Sequence, residues 1–261
     1  MTTEKWYPFI KLPLTIEQFH QLPRNPVYKY EYIEDEAWLT ARPRVYHALL
    51  TLEERTPAQT AEGYGREEIT FRPLDDDDWD EFPALFAWAF HRVPPFSLIS
   101  DDDRLKAATQ CLEHVRKGGD GPLINEACFV ARCETNEGEQ LLGAILITLM
   151  QDGDLERFDD PTWKEQAPDD ALATSWGRPH LTWIYTDHWN SRHGIGSILL
   201  DHAVNALLDL GYTELASTFL LGNESSTLWH WRNGFQLKSY PGSPRATNRR
   251  TTANESPEPV E

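Results

Sequence analysis

Residues 181–210 constrain this chain most. Leu181–Thr186 is a run of strand length with mostly apolar side chains, and Ile195–Leu210 repeats its apolar residues at helical spacing. Between them lies Trp189-Asn190-Ser191-Arg192-His193-Gly194-Ile195-Gly196-Ser197. Gly194 and Gly196 stand at i and i+2 where the helix starts. Without Cβ atoms there, backbone N–H groups can converge on an anion, and the helix N-terminus adds partial positive charge. Arg192 and His193 can add cationic contacts. In physical terms this is a pyrophosphate cradle; the plain alternative is a tight strand–helix turn. A Walker A loop is excluded, because the Gly-Lys-Ser/Thr end is missing. A dinucleotide fingerprint is excluded too, because the third Gly and its downstream acidic partner are missing.

The helix shows two stripes. Ile195, Leu199, Ala203, Ala206 and Leu210 form an apolar one; Ser197, Asp201, Asn205 and Asp209 form another that should face solvent. Gly211 is a suitable stop. Upstream, Ile69-Thr70-Phe71 reads as a short strand ended by Arg72-Pro73. A helix capped by Asp76 or Asp77 should follow, to about Phe90, and a second from about Asp102 to Arg116. Ala127–Cys133 and Leu142–Met150 read as strands, the latter apolar enough for a central position. Downstream come strand Thr213–Phe219, helix Ser225–Asn233 and strand Phe235–Tyr240. The order implies an α/β fold, a mixed central sheet with flanking helices.

The 261 residues carry a formal net charge of −18. Such a surface repels nucleic acid and anionic lipid and attracts cationic molecules, or it serves solubility alone. Cys111, Cys128 and Cys133 are an odd set without a C-x-x-C, so three free thiols and no metal site are expected, in a cytoplasmic protein. The longest apolar run, Leu141–Met150, falls short of the about 20 residues that span a bilayer. Nucleic acid and membrane are therefore not expected partners.

The stretch from Ile69 to Tyr240 resembles the GNAT superfamily of N-acetyltransferases. That family carries a strand, then Gln/Arg-x-x-Gly-x-Gly/Ala, then a long helix. Here the six positions read Ser191-Arg192-His193-Gly194-Ile195-Gly196, with Ser in place of Gln or Arg. A second motif, Asn, helix, Gly-Phe, is matched by Asn223 through Gly234-Phe235. The resemblance implies acetyl-CoA as co-substrate and no metal. It implies that backbone groups of Ile184, Tyr185 and Thr186 meet the pantetheine arm. Arg192, His193, Gly194, Ile195, Gly196 and Ser197 would hold the pyrophosphate, and Asn223 would reach the cofactor across a V-shaped opening. The acetyl group would pass directly to an amine of a small-molecule or amino-acid-like acceptor. Many such enzymes carry a Tyr seven residues after the motif Asn to protonate the departing thiolate. His230 stands there in this chain, as candidate general acid or as a packing residue. A homodimer is compatible with this reading. The alternative is an acyl-CoA sensor without transfer activity, which the departures at Ser191 and His230 favour.

These boundaries divide the chain into an accessory segment 1–66, an acetyltransferase domain 67–240 with an insertion loop or lid at 151–178, and a disordered tail 241–261. Within the first, Tyr28–Leu39 reads as a β-hairpin. It faintly resembles the opening of a restriction-endonuclease-like family, but the turn Gly and the downstream Asp and Glu-x-Lys are absent. A hairpin packed on the main domain is the preferred reading. Asp75–Asp78 and Asp101–Asp103 read as solvated helix-start charge, and Arg72 as structural. His180 and Asp187 flank the central strand and are candidate general bases. Trp229 and Trp231 are candidates for an acceptor pocket or for core packing.

Overall fold

The computed structural model describes residues 9–22, 28–41, 45–62, 68–93, 95–136, 138–153, 166–190, 193–220 and 223–238. Arg192, residues 154–165 of the insertion and the tail 241–261 lie outside them. The N-terminal strands are β1 (Phe9–Leu12), β2 (Tyr28–Ile33), β3 (Glu36–Ala41), β4 (Val45–Thr51) and β5 (Thr60–Glu62). Helix α1 (Ile16–Gln21) follows β1. The rest comprises β6 (Glu68–Pro73), α2 (Phe82–Ala89), α3 (Asp101–Arg116), β7 (Phe129–Thr135), β8 (Gly138–Met150), β9 (Arg178–Thr186), α4 (Ile195–Asp209), β10 (Glu214–Leu220), α5 (Glu224–Arg232) and β11 (Gln236–Leu237).

Two sheets result. A three-stranded one, in the order β1-β3-β2, packs Ala37 and Leu39 against Phe19 of α1. Its hairpin is the expected one. Without a turn Gly, Glu34 and Asp35 take positive φ themselves, 51° and 60°, as a two-residue turn of this hand requires.

The eight-stranded sheet runs β11-β4-β10-β9-β8-β7-β6-β5. Only β9 and β10 are parallel; every other neighbouring pair is antiparallel. Its centre is β8, whose residues Leu141–Leu149 are all buried, as a strand covered on both faces must be. One face carries α2, where Phe86 meets Trp183 and Tyr185 of β9 at 4.7 and 5.3 Å between ring centroids. The other carries α4, which buries Ile195, Leu199, Leu200, Ala203, Val204 and Leu207.

The boundary expected at residue 66 does not follow this sheet. β4 lies between β10 and β11 and pairs along its whole length with β10, from Val45↔Leu220 to Thr51↔Glu214. Ala48, Leu50 and Leu52 join the main core. The stripe of α4 expected to face water also has a partner. Arg55 Nη1 reaches Asp201 Oδ1 at 2.7 Å, and the Arg55 backbone exchanges two hydrogen bonds with the Asn205 amide. A stretch read as an accessory therefore clasps the polar side of α4. The described part of the insertion is also docked: Ala171 is buried and Trp176 packs on the core.

Asp78 departs from its expected solvated state. Its carboxylate is fully buried and takes a two-pronged pair from Arg72 at 2.8 and 2.7 Å. It also accepts from Arg132 and from the Asp75 N–H. Burial alone would raise its pKa, but these donors outweigh it and hold the carboxyl below its usual value. Arg72 is structural, as expected. The three cysteines are free thiols.

Candidate functional site

The site is built where β9 and β10 part. Their paired positions are Ala216↔His180 and Ser217↔Leu181. On its other edge β9 stays paired with β8 up to Thr186↔Gly143. From Thr182 to Thr186, then, the β10-facing edge of β9 has no strand beside it among the described residues. The cause is local. Adjacent β8 residues Leu146 and Ile147 pair with Trp183 and Leu181, so Thr182 is an extra residue, a bulge. A bulge bends its strand and re-aims the residues beyond it. Ile184, Tyr185 and Thr186 all stand on this open stretch, where the resemblance expects backbone contacts. The Tyr185 side chain is buried against Phe82 and Phe86, on the α2 face. Ile184 faces α4.

The turn after β9 leads directly to the start of α4. Asp187 does not stand ready as a base. Its Oδ1 accepts from Trp88 Nε1 of α2 at 2.9 Å and its Oδ2 from Asn190 Nδ2 at 2.9 Å. It ties α2 to this turn. His193 is exposed, with Nδ1 3.1 Å from the carbonyl of Glu62. Gly194 is the N-cap residue at φ 79° and ψ 0°, with no side-chain cap. A Cβ added there would meet nothing within 4 Å. The first N–H groups of a helix lack intrahelical partners, so among the described residues α4 presents uncapped donors beside open space. Ile195 is buried in the core and Ser197 is half-buried, its N–H on the Gly194 carbonyl at 2.9 Å. Gly196 has a packing reason. A Cβ there would stand 3.3 Å from Trp229 Nε1 and 3.6 Å from Ile184 Cδ1. Trp229 of α5 thus crosses the start of α4, while Trp231 is exposed.

Asn223 caps α5, its Oδ1 accepting the Ser226 N–H at 3.1 Å. Seven residues on, His230 is not placed as a general acid would be. The ring is 2% exposed and stacks on Phe219 at 4.1 Å. Nδ1 lies 2.7 Å from the Ser226 carbonyl, so it carries the proton, and Nε2 accepts from Ser217 Oγ at 2.8 Å. Burial pushes the pKa down to about 4, the Ser226 carbonyl pulling the other way. At neutral pH the ring is uncharged, with both nitrogens engaged. That is the environment of a packing histidine.

His180 belongs to a feature that strand patterning alone did not expose. It is 7% exposed and bonds Thr182 through Nδ1 and Thr218 through Nε2, both at 3.1 Å. Thr218 in turn meets His47 of β4 at 3.0 Å. The signal was present as His and Thr at strand positions 180, 182 and 218; what joined them was the pairing of β9, β10 and β4. Among the described residues no group of three or more His, Cys, Asp or Glu could hold a metal ion, and no helix is long and apolar enough to cross a membrane.

No family model and no curated protein matches the chain. Among solved structures it is similar to a GCN5-related N-acetyltransferase from Sphaerobacter thermophilus, at 19% identity and a TM-score of 0.45 over 76% of this chain. The chain spans about half the length, 50%, of that protein. It is similar to a GNAT family acetyltransferase from Brucella melitensis in complex with acetyl-CoA, at 17% identity and a TM-score of 0.41, over 66% of this chain and 88% of that one. It is also similar to a GCN5-related N-acetyltransferase from Ralstonia eutropha JMP134, at 17% identity and a TM-score of 0.40, over 68% and 99% of the two chains. By name, all three of these similar proteins are acetyltransferases.

Proposed function

We propose that the chain is an acetyl-CoA-dependent N-acetyltransferase acting on the amine of a small molecule. The observation that carries this reading is the uncapped start of α4 at Gly194 next to the unpaired edge of β9. An extended amide-bearing arm can pair with that edge as a strand would, and a pyrophosphate suits the helix N-terminus. Backbone groups of Ile184, Tyr185 and Thr186 would meet the arm. Arg192, His193, Gly194, Ile195, Gly196 and Ser197 would surround the phosphates, chiefly through N–H groups. Asn223 would offer Nδ2, its Oδ1 being committed to the cap. Acetyl-CoA would supply the activated acetyl group, and the acceptor nitrogen would displace the thiol. The acidic surface favours a cationic acceptor.

Turnover of acetyl-CoA with a panel of primary amines, monitored by thiol release, tests the reading. Thiol release that depends on an amine supports it. Tight acetyl-CoA binding without release for any amine would favour the second reading, an acyl-CoA-binding module. The burial of His230 is what keeps that second reading in play.

A further inference from the structure

Five side chains form a hydrogen-bonded chain across four strands, apart from the loop that would hold the phosphates. Thr148 Oγ1 and Thr182 Oγ1 lie 2.7 Å apart. Thr182 Oγ1 meets His180 Nδ1 at 3.1 Å, and His180 Nε2 meets Thr218 Oγ1 at 3.1 Å. Thr218 Oγ1 meets His47 Nδ1 at 3.0 Å. The register places all five on the α2 face: Thr148 is opposite His180, Thr218 opposite His47, and Trp183, which touches Phe86, stands opposite Leu146 on the same side. The centre of the chain is the apex of the opening. Thr182 and Thr218 are the first residues past the last β9–β10 pair, one on each diverging strand. Both are half-buried, and the His180 ring bridges them.

Counting protons gives the chain its character. A hydroxyl has one proton and a neutral imidazole one N–H. Thr218 Oγ1 faces two ring nitrogens, so it donates to one and accepts from the other. Thr182 Oγ1, between His180 and Thr148, is in the same position, with the His180 carbonyl as a further acceptor at 3.4 Å. The chain therefore points head to tail in one of two directions. Reversing it exchanges the tautomer of His180. The rings stay neutral throughout: burial first, then His47 and His230, push the His180 pKa down to about 3, and burial lowers that of His47. A neutral chain can pass a proton along by moving each of its protons one step, with no charge left inside the sheet.

Resting on acetyl transfer to an amine as the function, we infer that Thr182, His180 and Thr218 are a proton shuttle at the apex. The acceptor nitrogen forms its bond to the acyl carbon and gives its proton to one threonine hydroxyl. His180 receives a proton on one ring nitrogen and releases one from the other. The second hydroxyl gives up a proton to the departing sulfur, which keeps the electron pair of the broken C–S bond. One proton leaves nitrogen and one arrives on sulfur. His47 is a positioning residue that orients the Thr218 hydroxyl. The shuttle supplies the proton that the enclosed His230 cannot.

Thr218→Val removes the hydroxyl and keeps the shape, Thr218→Ser restores it, and His180→Gln keeps hydrogen bonding without tautomer exchange. Nitrogen-15 NMR of the histidine rings in the unliganded protein should show a neutral His180 at pH 7 with both tautomers populated, collapsing towards one in Thr218→Val. A cationic His180, or tautomers indifferent to Thr218, would overturn the shuttle. With acetyl-CoA and putrescine, glucosamine or lysine as acceptor, Thr218→Val and His180→Gln should lose on the order of 10²-fold in kcat. Calorimetric affinity for acetyl-CoA should be unchanged, and Thr218→Ser should recover most of the rate. An active parent with an equally fast Thr218→Val variant sinks the shuttle alone. A parent that binds acetyl-CoA but acetylates none of the three amines sinks the transfer reading and the shuttle with it.

Discussion

Two buried groups decide most at the scale of single residues. Asp78 gathers Arg72, Arg132 and the Asp75 N–H where water does not reach. Asp78→Asn keeps the shape and leaves Arg132 short of a counter-charge, though Glu81 and Glu139 remain within 2.6 and 3.2 Å. Removing one partner of a buried pair typically costs about 3–5 kcal/mol. Urea unfolding should show a loss of that order; a variant as stable as the parent would mean that the cluster contributes little. His230 gives the opposite acid response to an ordinary salt-bridged histidine. Its folded pKa, about 4, lies below the reference of about 6.5. The unfolded chain therefore binds more protons, and stability falls as pH drops from about 6.5 towards 4. His180, at about 3, acts in the same sense. In His230→Phe the loss of stability between pH 7 and pH 5 should shrink, and stability at pH 7 should drop by roughly 1–3 kcal/mol from the polar partners left behind. An unchanged pH slope would count against a buried neutral ring. None of this was legible locally. Asp78 sits in a run of four aspartates, and its bonds to Arg72, on β6, and to Arg132, on β7, set it apart from the other three. Likewise it is Ser217 and Phe219, more than ten residues away, that enclose the His230 ring.

Among the elements, β4 carries the largest surprise. Val45–Thr51 carries no clean period-2 alternation, and its partner Glu214–Leu220 lies over 160 residues on, so nothing local announces such a strand or its pairing. The central features were easier. β8, β9, α4, β10 and α5 lie within a few residues of their expected bounds, because each combines an apolar period with a clear start or stop. The opening at β9 was expected from resemblance, whereas the bulge at Thr182 that produces it shows only in the register. Deletion separates the two sheets. A chain starting after β3 should still unfold cooperatively on heating, since the three-stranded sheet has its own cluster around Phe19. A chain starting at Glu67 lacks β4, β5 and the Arg55 clasp and exposes the edge of β10. It should be aggregated or without a cooperative melt. A well-folded 67–261 chain would show that β4 is dispensable.

For the whole molecule, charge and the opening act together. A net charge of −18 should draw a cationic acceptor by long-range attraction that salt shortens, with a Debye length of about 8 Å at physiological strength and about 3 Å at 1 M. KM for a diamine acceptor should rise with salt while that for a neutral hydroxylamine stays nearly level; parallel behaviour would remove steering from the account. The central claim is narrower, that the uncapped start of α4 holds a pyrophosphate. Calorimetric titration of acetyl-CoA into the parent and into Gly194→Asp tests it most directly. The Asp side chain would enter open space at a left-handed φ of 79° and put negative charge where the phosphates should sit. The account predicts saturable binding to the parent, and binding to a folded Gly194→Asp chain weaker by at least about tenfold, the equivalent of about 1.4 kcal/mol. Equal affinity in both proteins, or no binding to the parent, would contradict it.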